Sequence, residues 1–147
     1  MYEAVSAMAS VFTDPFLLFL IFSTTVIGVI IGALPGLGAT TGAALLLSFT
    51  LTMDPVHAIT VLTTIYVSAT FAGSITAILI NTPGTASSAV TCLDGFPLAQ
   101  RGEAGRALGI AVVSSTIGGI FSVIILAVAA PLLARIAYGF LPPGYFA

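Results

Sequence analysis

Two short stretches of this chain combine residue types that can hold a solute without a fixed charge. The sequence PGLGATT begins at residue 35, and NTPGT begins at residue 81. Each stretch follows an apolar run, and small or hydroxyl-bearing residues come after it. A helix that starts after such a break directs unpaired N–H groups and the positive end of its dipole towards the break, where an anion can bind. The two stretches therefore predict an anion-binding site made mainly by the backbone.

The candidate residues are those that form the two breaks and the first turns after them. New half-helices are expected after Gly38 and after Gly84, and the threonine hydroxyls and the Asn81 amide would add neutral donors and acceptors. The candidate substrate-binding residues are Pro35, Gly36, Gly38, Thr40, Thr41, Asn81, Thr82, Pro83, Gly84 and Thr85. The candidates for binding a small cation are Asn81 and Asp94, the carboxylate nearest to the second break.

The composition places these breaks in a membrane. Hydrophobic residues make up 59% of the 147 positions and charged residues 5%, whereas soluble domains carry about 25% charge. Three charge-free stretches each exceed the roughly 20 apolar residues that a spanning helix needs. They cover residues 15–53, 55–93 and 107–134. The chain is predicted to be a polytopic membrane protein in contact with the lipid bilayer, and three arginines without a lysine offer no basic patch for nucleic acid.

Two Asp-Pro pairs predict where the membrane helices start. Asp caps the free N–H groups of a first turn, and proline is accepted at the first helical position. Asp14-Pro15 and Asp54-Pro55 therefore predict helices at 16–34 and 55–80. A last long helix is predicted at 104–134. The expected fold class is an all-α integral membrane protein with about four transmembrane or re-entrant segments and with helices broken at Pro-Gly.

The expected domain organisation has two parts. Residues 1–14 place Tyr2, Val5 and Met8 at helical spacing, which predicts an amphipathic helix at the membrane surface; a frayed terminus explains them equally well. Residues 15–147 form the transmembrane portion. Within it, residues 35–53 are half small or hydroxylated and half apolar, which suits a broken or re-entrant helix.

A pair of interrupted hydrophobic segments is a sequence signal of a transporter binding site. Unwound backbone at membrane depth is tolerated only when protein buries it or when it lines a wet cavity. An alternative explains the same residues by packing, because Gly28, Gly32 and Gly36 recur at the spacing used for close helix contact. Pro-Gly also marks ordinary loops. Both interpretations stay open at this point.

Two long segments resemble one bacterial transporter family. They are GALPGLGATTGAALLLSFTLTMDP at 32–55 and GSITAILINTPGTASSAVTCLDGFPLAQRGEAGRAL at 73–108. Both are similar to the signature segments of the large membrane subunit (TctA-type) of the tripartite tricarboxylate transporters. The likeness continues through LPPGYFA and covers essentially the whole chain.

The resemblance implies a function and its partners. Such subunits are secondary transporters of the bacterial cytoplasmic (inner) membrane that import tricarboxylates or related organic acid anions, coupled to an ion such as Na⁺ or H⁺. They work with a small membrane subunit and a periplasmic solute-binding protein, and they need no cofactor. Because these subunits are several times longer, the chain is expected to be an N-terminal portion. The alternative is a truncated, non-transporting fragment with a structural or assembly role in a membrane complex.

Other polar residues have ordinary explanations as well as functional ones. The Asp94-Gly95 pair is a strong turn signal. His57 could take up a proton or could be a solvated residue at the membrane interface. Ser74 follows His57 by 17 residues, about 25 Å along one helix, which is too far for a nucleophile and its base. The chain is therefore not expected to be an enzyme, and neither catalytic residues nor a metal site are predicted.

Overall fold

A computed structural model describes the backbone of residues 11–139 and the side chains of residues 11–134. All regular structure in that part of the chain is helical. Its elements, in chain order, are α1 (Pro15–Ala33), α2 (Gly38–Thr50), α3 (Pro55–Ile80), a 3₁₀ turn (Ala86–Ala89), α4 (Thr91–Leu98), a π-helical segment (Ala99–Glu103) and α5 (Ala104–Gly139). The first ten residues of the predicted surface helix at 1–14 lie outside the described residues.

The two Asp-Pro pairs start α1 and α3, as predicted. An Asp14 carboxylate oxygen accepts a hydrogen bond from the Phe16 N–H at 2.9 Å, and the Asp54 carboxylate accepts one from the Val56 N–H at 3.2 Å. In both helices the proline lies in the first turn. The N–H groups of that turn have no acceptor within the helix, so the absence of an N–H in proline costs no hydrogen bond. The predicted span at 55–80 has the bounds of α3, and the span predicted at 16–34 begins and ends one residue earlier in α1.

Within the described residues, three segments are long and apolar enough to cross a membrane. They are Pro15–Ala33, Pro55–Ile80 and the composite segment Thr91–Ala134. The fourth apolar helix, α2, has 13 residues, which is about 20 Å and shorter than a hydrocarbon core of roughly 30 Å. The described chain is therefore an all-α membrane protein. The segment 35–53, predicted to be a broken or re-entrant helix, contains the short helix α2.

Helix α3 forms the centre of the first of two compact units, which divide between Leu108 and Gly109. It packs against α1, α2 and α4. Its start lies beside Asp14, at the start of α1, and Ala69 lies against Gly32 in the last turn of α1, so α1 and α3 run in the same direction. The buried residues of α3 are Val61, Ile65, Ser68, Ala69, Ala72, Gly73, Ala77 and Ile78.

Helices α1 and α3 touch through small residues. A Cβ on Gly28 would lie 2.9 Å from the Ile65 carbonyl oxygen, and a Cβ on Gly32 would overlap the backbone of Ala69. Neither position has room for a methyl group, so the predicted packing role of these two glycines is confirmed. Gly36, the next residue at this spacing, is exposed and has no atom within 4 Å of its Cβ position. Packing therefore explains the first two glycines and leaves Gly36 unexplained.

The second unit consists, in its described part, of α5 from Gly109 onwards. Its large apolar side chains, from Ile110 to Leu133, are exposed. Helical backbone satisfies its own hydrogen bonds, so an apolar helix of this kind is stable in hydrocarbon, in agreement with a membrane span.

Candidate functional site

The first break is a tight, exposed turn between α1 and α2. The N–H of Leu37 donates to the carbonyl of Leu34 at 3.2 Å and closes the turn. Gly36 (φ +94°) and Gly38 (φ +48°) have positive φ angles, which side chains with a Cβ rarely adopt. Both glycines are therefore required by the backbone of this turn.

The start of α2 has no side-chain cap. The residue that precedes the helix is Leu37, whose side chain cannot accept a hydrogen bond from the first N–H groups. Thr40 is exposed and Thr41 is half-buried, and neither hydroxyl makes a hydrogen bond within residues 11–134. The first break thus combines an uncapped positive helix end with two free hydroxyls, which is the arrangement predicted for binding an anion.

The second break reverses the chain at the end of α3. Asn81 ends the helix with a left-handed backbone (φ 55°), and its N–H donates to the Thr76 carbonyl. The chain then runs back along the last turns of α3, where the N–H of Gly84 donates to the Gly73 carbonyl at 3.3 Å. Unlike Gly36, Gly84 is buried.

Three glycines from three segments meet at this point. A Cβ on Gly84 would lie 2.8 Å from the Cα of Gly73 and would overlap the carbonyl oxygen of Gly32 in α1. Gly32 precedes Pro35, the start of the first break, by three residues. The second break therefore packs against the last turn of α1. Both breaks lie at the same end of the first unit.

The segment after Gly84 differs from the predicted half-helix. A 3₁₀ turn comes first, and Thr85 and Ser88 form a reciprocal capping box at its start. The N–H of Thr85 donates to the Ser88 Oγ at 3.2 Å, and the N–H of Ser88 donates to the Thr85 carbonyl at 3.1 Å. The expectation of unpaired N–H groups is therefore wrong for Gly84 and Thr85, because loop closure and capping already use both groups.

The remaining residues predicted at the second break have separate positions. The Asn81 side chain is exposed and makes no hydrogen bond within the described residues, and Pro83 is also exposed. The Thr82 hydroxyl donates to the Ile80 carbonyl at 3.2 Å. Of the predicted substrate-binding groups here, the Asn81 amide is the one left free of intramolecular partners.

Asp94 lies in a helix and not in a turn. The pair Asp94-Gly95 belongs to α4, so the predicted Asp-Gly turn is wrong. The reason is tertiary packing: a Cβ on Gly95 would lie 2.7 Å from the Ile78 side chain, so glycine allows α4 to lie against α3. The Asp94 carboxylate is exposed and forms no ion pair or hydrogen bond among the described side chains.

A groove between α1 and α3 was not predicted from the sequence. Its volume is about 520 Å³, and it lies beside the middle of both helices. Its lining residues are Thr25, Val29, Thr63, Thr64, Val67, Ser68 and Phe71. The hydroxyls of Thr25 and Ser68 donate to carbonyls of their own helices at 2.7 Å each. The adjacent threonine pairs at 24–25 and 63–64 were the available signal in the sequence.

The polar residues outside the two breaks include an ion pair after α4 and the pair His57 and Ser74. Arg106 and Glu103, three residues apart in the sequence, form an ion pair at 2.8 Å. His57 and Ser74 lie on one continuous helix, α3, at the separation that argued against a hydrolase. No group of His, Cys, Asp and Glu residues that could hold a metal ion occurs in the described part of the chain.

The chain is similar to known proteins over most of its length. The sequence model of the Tripartite tricarboxylate transporter TctA family matches residues 18–147. An uncharacterized 52.8 kDa protein of Agrobacterium vitis, from the TAR-I ttuC' 3' region, is 46% identical over 126 residues. That match covers 86% of this chain and 25% of the relative, so the chain spans about a quarter of the relative's length. No solved structure matches the chain. Because the family match takes in nearly the whole sequence and both breaks, this chain belongs to the tripartite tricarboxylate transporter TctA family.

Proposed function

We propose that this chain is part of the membrane subunit of a secondary transporter that imports tricarboxylates or related organic acid anions with ion coupling. The assembly would lie in the bacterial inner membrane and would include a small membrane subunit and a periplasmic solute-binding protein. Family membership supports the transport role and the membrane setting. The chemistry is binding and release, and we assign no catalytic step to any residue.

The uncapped start of α2 is the observation that carries the proposal. An organic acid anion needs hydrogen-bond donors, and the charge-free spans offer it neither lysine nor arginine. The first N–H groups of α2 and the hydroxyls of Thr40 and Thr41 belong to the first four residues of this helix, and none of them has a side-chain partner among the described residues. Hydrogen bonds to an ionised acceptor contribute about 1.5–3 kcal/mol each, so a few such donors suffice for selective binding.

The second break is proposed to support the first and to contribute to ion coupling. Gly84 packs the second break against Gly32, which lies shortly before the first break. This contact would hold the two breaks in fixed positions relative to each other. The side-chain oxygen atoms of Asn81 and Asp94 have no partner among the described residues, and a coupling cation such as Na⁺ prefers carbonyl and carboxylate oxygens. A coupling H⁺ would instead need a titrating group, for which Asp94 is the candidate. No organic or metal cofactor is proposed.

Uptake by the complete assembly tests the role of the first break. The full-length subunit would be produced with its small membrane subunit and binding protein, and uptake of radiolabelled citrate would be measured in cells. The double variant Thr40→Val/Thr41→Val removes two hydroxyls at nearly constant volume. Its uptake at low substrate concentration should fall about tenfold or more if the hydroxyls bind the anion.

A matched threonine controls for the substitution itself. Thr116→Val removes an exposed hydroxyl on α5 that donates to its own helix at Val112, at 2.8 Å, and its uptake should equal that of the wild type. Equal amounts of each subunit in the membrane must be shown by immunoblot. Unchanged uptake and an unchanged KM in the double variant would contradict the assignment of the site to the start of α2.

A structural role is the second candidate, and the surface of α5 favours it. Large apolar side chains cover this helix on all sides and are exposed in the chain by itself, so other helices have room to pack there. In that case the chain would bind a larger membrane complex without contributing to transport. Co-purification with the complex, together with full uptake by the Thr40→Val/Thr41→Val assembly, would favour this candidate over the first.

A further inference from the structure

At the end of the first unit opposite the two breaks, a histidine lies between two carboxylates. The Nε2 atom of His57 is 3.7 Å from an oxygen of Asp14, and its Nδ1 atom is 3.7 Å from an oxygen of Asp54. Asp14 caps α1 and Asp54 caps α3, so the imidazole bridges the starts of two parallel helices. We call these three residues the His57 cluster.

The histidine is half-buried beside α1. Its side chain is 26% exposed, and Phe16 of α1 packs edge-on against the ring with the ring centres 5.5 Å apart. The Nε2 atom is buried and has no hydrogen-bond partner among the described residues. Aromatic contact and burial therefore fix a polar ring at a position where one of its nitrogen atoms is unsatisfied.

The two protonation states of the ring interact differently with this site. A neutral imidazole has an N–H on one nitrogen atom and a lone pair on the other. The nitrogen atom without a proton therefore faces a carboxylate oxygen, and two acceptors repel each other. An imidazolium has an N–H on both nitrogen atoms, and each faces a carboxylate oxygen. Proton uptake changes the charge of the cluster from −2 to −1, and the imidazolium then faces a carboxylate on each side at 3.7 Å.

We propose that the His57 cluster is a proton-operated latch that ties the start of α1 to the start of α3. Binding of a proton tightens the latch, and loss of the proton loosens it. Histidine is the side chain that ordinarily changes charge in the physiological pH range, so the latch responds to the acidity at that membrane face. The proposal does not depend on transport, because it concerns the contact between two helices.

No other charge among the described residues competes for this histidine. The end of α2, which leads into α3, has no ionisable side chain between Thr50 and Met53. The remaining described acidic and basic groups, from Asp94 to Arg106, follow the second break, and none of them forms an ion pair with His57. Among the described residues, Asp14 and Asp54 are therefore the two charged groups that face His57.

The sequence provides a clean test, because His57 is the only histidine in the chain. Thermal unfolding of the whole chain in detergent would be measured at about pH 5.5 and about pH 8, on either side of the range in which histidine titrates. The wild type should lose about 2–4 °C in Tm between the lower and the higher pH, a shift appropriate to partly exposed ion pairs in a chain of this size. In His57→Gln the loss should be less than half as large.

Asparagine variants separate the latch from helix capping. Asn caps a helix as well as Asp does, so Asp14→Asn and Asp54→Asn remove a charge and keep the cap, and both should fold. In double-mutant cycles, His57 should couple to each aspartate at the lower pH, and the coupling should decrease at the higher pH. Parallel pH profiles for the wild type and His57→Gln, or couplings that are equal at both pH values, would overturn the latch.

Discussion

The two Pro-Gly breaks look alike in sequence but are built differently. At the first break Gly36 is exposed, no atom lies within 4 Å of its Cβ position, and the helix that follows has no side-chain cap. At the second break Gly84 is buried against two backbones, and a capping box uses the next N–H groups. One break is exposed, and the other is closed by contacts within the protein.

This difference separates two uses of glycine that a sequence alone does not distinguish. At the first break glycine provides a backbone angle, and at the second break it provides space. A substitution at the first break strains a turn, whereas one at the second break separates three packed segments. The two breaks should therefore respond differently to the same chemical change.

The largest effect is expected from Gly84→Ala. The added methyl group would lie 2.8 Å from the Cα of Gly73 and would overlap the Gly32 carbonyl, and backbone atoms cannot rotate away. The variant should lose about 3 kcal/mol of stability or more, as expected for overpacking in a rigid contact. Unfolding of the detergent-solubilised chain, followed by circular dichroism, measures the loss.

The control for this variant is Gly109→Ala on α5. Gly109 lies in helical backbone with no atom within 4 Å of its Cβ position. Alanine should leave the stability unchanged or raise it by about 0.5–1 kcal/mol through helix propensity. Equal changes in stability for Gly84→Ala and Gly109→Ala would show that Gly84 does not pack against Gly73 and Gly32 in solution.

The next effect is expected from Ser88→Ala, which opens the capping box. The Ser88 side chain is 1% exposed, and its Oγ accepts the Thr85 N–H and donates to the Thr85 carbonyl. Removing it leaves a partly buried N–H without an acceptor, which should cost about 1–2 kcal/mol. The exposed neighbour Ser87 is the control: its Oγ lies 3.1 Å from the Thr85 Oγ in a solvent-exposed hydrogen bond and does not bond the Thr85 backbone. Ser87→Ala should therefore change the unfolding free energy by less than about 0.5 kcal/mol.

A smaller effect is expected from Gly36→Ala at the open break. There is no steric overlap, so the cost comes from the positive φ of +94°. It should be about 1 kcal/mol, since the strain is partly offset by the lower entropy of the unfolded chain. A loss as large as that of Gly84→Ala would mean that the first break is packed as tightly as the second, contrary to the comparison.

Most of the fold could be predicted from local chemistry. Asp14-Pro15 and Asp54-Pro55 combine a side-chain cap with a residue that needs no N–H partner, so they determined two helix starts without tertiary information. The charge-free runs then determined the spans. The short α2 also followed from its sequence, because residues 35–53 lack an apolar run long enough to cross a membrane.

The details of the candidate site depended on contacts between segments distant in sequence. Whether Gly84 offers a free N–H depends on Gly73, eleven residues earlier, and on the carbonyl of Gly32 in another helix. The Asp94-Gly95 pair signals a turn locally, but packing on Ile78 keeps it helical. His57 likewise becomes part of a cluster only because α1 and α3 run in parallel and bring Asp14 beside it.

The smallest change in stability is expected from Thr41→Val at the first break. The same substitution at Thr85, in the second break, serves as the comparison. The Thr41 hydroxyl has no hydrogen-bond partner within the described residues, whereas that of Thr85 donates to the Ser88 Oγ at 3.2 Å. Valine keeps the shape of threonine and removes the hydroxyl. Thr41→Val should therefore change the unfolding free energy by less than about 0.5 kcal/mol, and Thr85→Val should cost about 1 kcal/mol. If the order is reversed, the Thr41 hydroxyl stabilises the fold, and a loss of uptake on its removal would no longer indicate substrate binding.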